Sequence, residues 1–150
     1  MVGAVYFLSD QDSPFGKHPC VVVLEIRGSR ECIIVPGFST GRDTVEQAIE
    51  TLVEAGLSRS AVAVTLDNRH HLSLVRRIET YEAHWVTAQW ARLPLAVLRK
   101  GSHVARMDDE ALKRIVAALI ELASERPGEF SQPLIRKLRQ LYRKVSQEQP

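Results

Sequence analysis

The sequence predicts an α+β fold: a strand-rich body, a closing amphipathic helix and a basic helical tail. Three observations predict it. Short β-branched runs separated by turn residues occupy Gly3 to Val35. A stripe of Leu112, Ile115, Val116, Leu119 and Leu122 recurs at helical spacing late in the chain. A length of 150 residues, with 45% hydrophobic and 25% charged side chains, makes one domain with one core the default.

The strands come first. Gly3 to Leu8 is short, apolar and rich in β-formers, and Ser9 to His18 is a turn-forming loop marked by Pro14 and Gly16. Pro19 opens the run Cys20 to Ile26, where a first strand position needs no donor. Gly28-Ser29 reads as a hairpin turn into Glu31 to Val35, so three strands form an antiparallel meander. The period then changes. Val45, Ala48, Ile49, Leu52 and Val53 predict a helix, with Thr44 as N-cap, Gln47 three residues on and Gly56 at its end. Ala61 to Leu66 and His84 to Trp90 read as strands. Asp67 to Arg77 is ambiguous, and Leu95 to Leu98 is a short strand or a helical turn. Asp108 and Asp109 place negative charge at the start of the striped helix, which Pro127-Gly128 stops. Ser131 caps a last helix with Pro133 in its first turn, and Leu134, Leu138, Leu141 and Val145 line one side of it.

No apolar run reaches the roughly 18 residues that a membrane span needs, so no membrane partner is expected. The first residues lack a secretory pattern, and Cys20 and Cys32 sit in apolar runs as expected buried thiols. The expected compartment is the cytoplasm. Net charge is only +2, but the basic residues cluster. Arg136, Lys137, Arg139, Arg143 and Lys144 crowd the last helix, and Arg92, Arg99, Lys100, His103 and Arg106 form an earlier group. Such stripes can track a phosphate backbone, although a basic run is more often a solvated face.

Five histidines and two cysteines have no zinc-like spacing, and phosphate-loop, dinucleotide and G-x-S-x-G signatures are absent, so no metal or cofactor is expected. The first loop is the better candidate. Lys17 and His18 end it, while Ser39, Thr40 and Arg42 follow the third strand. In a meander these two places can lie at one edge, although spacing alone reads Lys17 and His18 as exposed loop residues. A cation, an imidazole and hydroxyls together suit metal-independent cleavage of RNA. A base takes the 2′-OH proton, a cation stabilises charge on phosphorus, and an acid protonates the leaving 5′-oxygen.

The segments GAVYFLSD, GKHPCVVV and IIVPGFST resemble the start of the MazF/PemK toxin family. The stretch from Val86 to Leu122 is similar to that family's closing segment, with Gln89 and Arg92 for its Q-x-R element and Met107 to Glu110 before the helix. The matches fall in the family's order but cover well under half of the chain directly. The resemblance implies an SH3-like small antiparallel barrel with a closing helix at 1–126, and an additional basic helix at 127–150 outside the family pattern. It implies a homodimer that cleaves single-stranded RNA and is neutralised by a cognate antitoxin. The family's catalytic arginine corresponds to His18 and its catalytic threonine to Ser39, with Thr40 adjacent. A neutral imidazole does not reproduce a permanently charged phosphate clamp. Either Lys17 and Arg42 supply the charge while His18 moves the proton, or cleavage is lost. RNA contacts are expected from Arg42, Gln89, Arg92, Arg136, Lys137 and Arg139. The alternatives are a non-catalytic barrel that binds RNA or protein, and a CcdB-like poison of DNA gyrase in which the C-terminal helix matters.

Overall fold

The computed structural model describes residues 1–9, 11–78 and 81–147, so Asp10 of the first loop and the last three residues of the tail lie outside the described residues. The body is a curled, antiparallel half-barrel sheet with helices on both faces. Strands β1 (Ala4–Phe7), β2 (Pro19–Ile26) and β3 (Glu31–Ser39) form the expected antiparallel meander. The turn between β2 and β3 puts Arg30 at φ 53. The sheet order is β4-β6-β3-β2-β1-β8-β5, built with β4 (Val64–Asp67), β5 (Leu72–Leu74), β6 (Glu82–Trp85) and β8 (Ser102–Met107).

The curl originates in β3, which is longer than the sequence suggested and divides its outer edge between two partners. Glu31 to Ile34 pair with β7 (Ala91–Pro94), and Gly37 to Ser39 pair with β6. Pro36 stands at the division, where a residue without an N–H costs no ladder bond; its carbonyl accepts from Val86 N at 2.9 Å. Register irregularities at Val5/Tyr6 and Val22/Leu24 add to the bend.

The inner face of the sheet, with Val5, Val21, Val35 and Trp85, packs on helix α5 (Asp109–Glu125) through Leu112, Ile115, Leu119 and Leu122. Helix α6 (Gln132–Gln147) packs on α5 and buries Leu134, Leu138 and Val145 in the same core. Trp90 and Phe130 stack at 4.6 Å, and Trp90 Nε1 donates to Glu129 at 2.7 Å, so the connection to the basic tail is tied to the body. On the outer face, α1 (Asp43–Glu54) covers Val62, Val86 and Phe38, while α4 (Leu95–Lys100) sets Leu98 against Cys20, Val22, Cys32 and Ile34. Both thiols are free and buried. Burial pushes Cys20 up to about 12 and Cys32 to about 11.

Three local expectations are corrected and one open stretch is resolved. Thr44 is not the N-cap of α1: the helix begins at Asp43 after Arg42, and Glu46 Oε1 accepts from Gly41 N at 3.2 Å instead. Ala61 and Val62 belong to the short helix α2 (Arg59–Val62), and only Val64 onward is strand. His84 to Trp90 is not one strand, because a 3-10 turn at Thr87–Gln89 interrupts it; buried Thr87 donates its hydroxyl to Ala61 O at 2.6 Å. The ambiguous stretch after Asp67 folds as helix α3 (Asn68–His71) followed by β5.

Asp108 caps α5 by accepting from Ala111 N at 2.8 Å, and it also pairs with His71 Nδ1 at 3.0 Å. Asp108→Ala is expected to cost about 1 kcal/mol, within the usual ~0.5–2 kcal/mol for an N-cap. Urea unfolding checks it, and an unchanged midpoint would show that the cap contributes nothing.

A candidate active-site cleft at the mouth of the half-barrel

Residues directly opposite one another in a ladder share a face. Gly37 opposes Trp85 and Ser39 opposes Ala83, so these four lie on the inner face, and Phe38 and His84 lie on the outer one. Beyond the reach of α5 the inner face opens into a cleft of about 340 Å³. Lys17, His18 and Ser39 all line it, together with Phe7, Asn68 and Tyr81. Segments far apart in sequence thus meet as the meander predicts. The end of the first loop and the end of β3 come together because Phe7 pairs with Pro19 and Cys20 with Pro36.

The predicted residues are not equivalent within this arrangement. His18 sits at the rim. Its ring lies 4.4 Å from that of Phe38, centroid to centroid, at 51°. Partial burial, and then the charge of Arg42, hold the imidazole below its ordinary 6.5, so it is neutral at pH 7. Arg42 is exposed at the start of α1. Thr40 does not line the cleft: its N–H and hydroxyl both turn to Glu82 O, at 3.2 and 3.5 Å. Of the two hydroxyls, Ser39 is the one in the cleft.

The remaining predicted RNA contacts lie elsewhere. Arg92 opposes Ile33, six residues before Ser39 and about 20 Å away along β3. Its Nε lies 3.6 Å from Glu31. Arg92 and Lys137 border a shallow groove with Ile26 and Leu134. Arg136 and Arg139 are exposed on α6, and Gln89 is in the 3-10 turn. The basic residues therefore form two regions, one at the mouth and one along α6.

Sequence reasoning missed the groups that hold the mouth in shape. His84 Nε2 lies 2.6 Å from Glu46 Oε1, and its Nδ1 lies 2.7 Å from the Thr65 hydroxyl. The carboxylate can only accept, so Nε2 carries a proton. This bond, then the one from Gly41 N, holds Glu46 below the usual carboxylate value. Together they fasten the start of α1, and with it Arg42, to β6. Opposite, Asp67 caps α3 by accepting from Arg69 N at 3.0 Å. The Arg69 side chain holds Asp67 down to about 2. The next residue, Asn68, is buried, with Oδ1 accepting from Trp85 Nε1 at 3.1 Å. Trp85 is wedged under the bare Cα of Gly37, where a Cβ would lie 2.9 Å from the ring. The only sequence signal for this floor is the glycine in IIVPGFST.

Among the described residues, no helix is long and apolar enough to cross a membrane. No protein-family model matches the chain, and no curated protein does.

Proposed function

We propose that the protein is a toxin-like, metal-independent endoribonuclease that cleaves single-stranded RNA in the cleft at the barrel mouth. The observation that carries this is the convergence of Lys17, His18 and Ser39, from two separate segments, in one open cleft. Lys17, with Arg42 at the rim, neutralises charge developing on the phosphate. His18, neutral at pH 7, takes the 2′-OH proton as that oxygen bonds to phosphorus, and the imidazolium so formed hands the proton to the 5′-oxygen as its bond to phosphorus breaks. Ser39 donates a hydrogen bond to a non-bridging oxygen. The half-barrel is then an SH3-like barrel of the MazF/PemK kind, acting as a cytoplasmic homodimer with a cognate antitoxin. The α6 face gives a salt-dependent second contact with the RNA backbone.

Incubation of the pure protein with long single-stranded RNA in EDTA is expected to yield discrete fragments. Intact RNA across a varied set of substrates removes the proposal. If His18 acts as the base, it must be neutral. Its folded value is below 6.5, so activity persists on acidification through 6.5 and falls only at lower pH. The acid limb of a kcat/KM profile is therefore expected below 6.5, and a limb above that value assigns the base elsewhere.

One observation favours a second reading, a barrel that binds RNA without cutting it. The His18 ring rests on Phe38, an outer-face residue, while Ser39 faces inward. Binding without fragments in the same assay is its signature.

A further inference from the structure

Asn68 is a polar residue in the wall of the cleft, 7% exposed, and the two ends of its amide are not equivalent. The indole N–H of Trp85 can only donate, so the amide atom 3.1 Å from it is the carbonyl oxygen. Trp85 is itself fully buried, with Gly37 packed on its ring, so this orientation is held from below. The amino end is left over. Among the described residues no hydrogen bond from Nδ2 is found. Asn68 forms part of the cleft wall, and the amino group is the end of its amide left for a ligand held there.

An amide fixed in this way offers donors and no acceptor. Toward the base edge that carries the exocyclic group at pyrimidine C4 or purine C6, a carbonyl oxygen satisfies it. An exocyclic amino group in the same place sets donor against donor and leaves a nearly buried N–H without a partner. Phe7 and Tyr81 line the same cleft, and Tyr81 is 63% exposed, so aromatic surface is at hand for the face of a base.

We infer that Asn68 reads the C4 or C6 edge of the nucleobase held in the cleft and there selects a keto base, uracil or guanine, over an amino base, cytosine or adenine. The inference rests on the RNA reading of the same cleft and names the nucleotide that the cleft takes. Asn68 discriminates between bases; it takes no part in moving protons.

The test is equilibrium binding of the full chain to fluorescent 2′-O-methylated oligomers of uridine, cytidine, inosine and adenosine, which lack the 2′-OH nucleophile and stay intact. The wild-type protein is expected to bind uridine over cytidine, and inosine over adenosine, by about tenfold or more. Asn68→Asp keeps an acceptor for Trp85 Nε1 but turns an acceptor toward the base, so both ratios are expected to fall to about one or below. A merely structural role for Asn68 moves overall affinity and leaves the ratios unchanged. Equal wild-type binding within each pair overturns the inference, as does a folded Asn68→Asp protein with unaltered ratios. If that variant does not fold, the two wild-type ratios decide. Binding of all four oligomers without preference sinks the base selection alone, whereas binding of none sinks the RNA reading with it.

Discussion

His18→Ala is expected to lower the rate of RNA cleavage by about 10²- to 10⁴-fold, the usual contribution of one positioned general acid or base. RNA affinity is expected to change far less, because the ring is neutral at pH 7 and contributes no charge to the phosphate. The side chain is half-buried and packs on Phe38 at the rim rather than in the core, so the melting temperature should hold within a few degrees. His18→Arg sharpens the result. Arginine brings a permanent charge and no titratable proton near neutrality. If His18 moves a proton, the arginine variant is as inactive as the alanine one. If the position serves as a phosphate clamp, the arginine variant equals or exceeds the wild type. Single-turnover cleavage of an end-labelled RNA separates these outcomes, and an undiminished rate in His18→Ala removes His18 from the mechanism.

Trp85→Ala is expected to cost about 3–5 kcal/mol of folding stability, the range for deleting a buried Trp or Phe side chain. Trp85 has no exposed surface and belongs to the core that α5 closes. The substitution also strands the nearly buried Asn68 carbonyl, which loses its donor. Trp85→Phe retains most of the ring but not the N–H, so its cost should be clearly smaller. Urea titrations of the three proteins give the comparison. A loss under about 1.5 kcal/mol for Trp85→Ala would mean that the floor of the cleft collapses around the gap and is not rigid.

The first three strands were readable because β-branched runs alternate with turn residues between Gly3 and Val35. Helices α5 and α6 were readable because their apolar stripes were long, the acidic pair at Asp108 marked the start of α5, and Ser131 capped α6 as read. Strand β8 was not predicted. In SHVARM the polar His103 and Arg106 interrupt a six-residue run, and pairing with both β1 and β5 makes it a strand. The mistaken N-cap at Thr44 has a similar cause. Thr44 and Gln47 have the spacing of a local capping box, but Glu46 reaches back to Gly41 while it is also held by His84 from β6. A tertiary contact outweighed a local signal.

The site divided in the same way. Lys17, His18 and Ser39 could be brought together on paper, because a meander places two of its loops at one edge. Thr40 and Ser39 could not be told apart without the register of β3 on β6, which gives the cleft one hydroxyl and turns the other away. Asn68 was out of reach. It sits in a stretch with no clear period, and only the pairing of β4 with β6 brings it to Trp85.

The placement of β8 has a consequence for how the chain is made. Ala4 pairs with Arg106, so the strand at the start of the chain finds one of its neighbours only after a separation of about a hundred residues. Phe7, at the end of that strand, is also a wall of the cleft. Long-range pairing of this kind is slow, and during translation it waits for the ribosome to release the partner. The mouth of the barrel therefore assembles late, after most of the polypeptide has emerged, and a fragment that ends before Ser102 has no closed mouth.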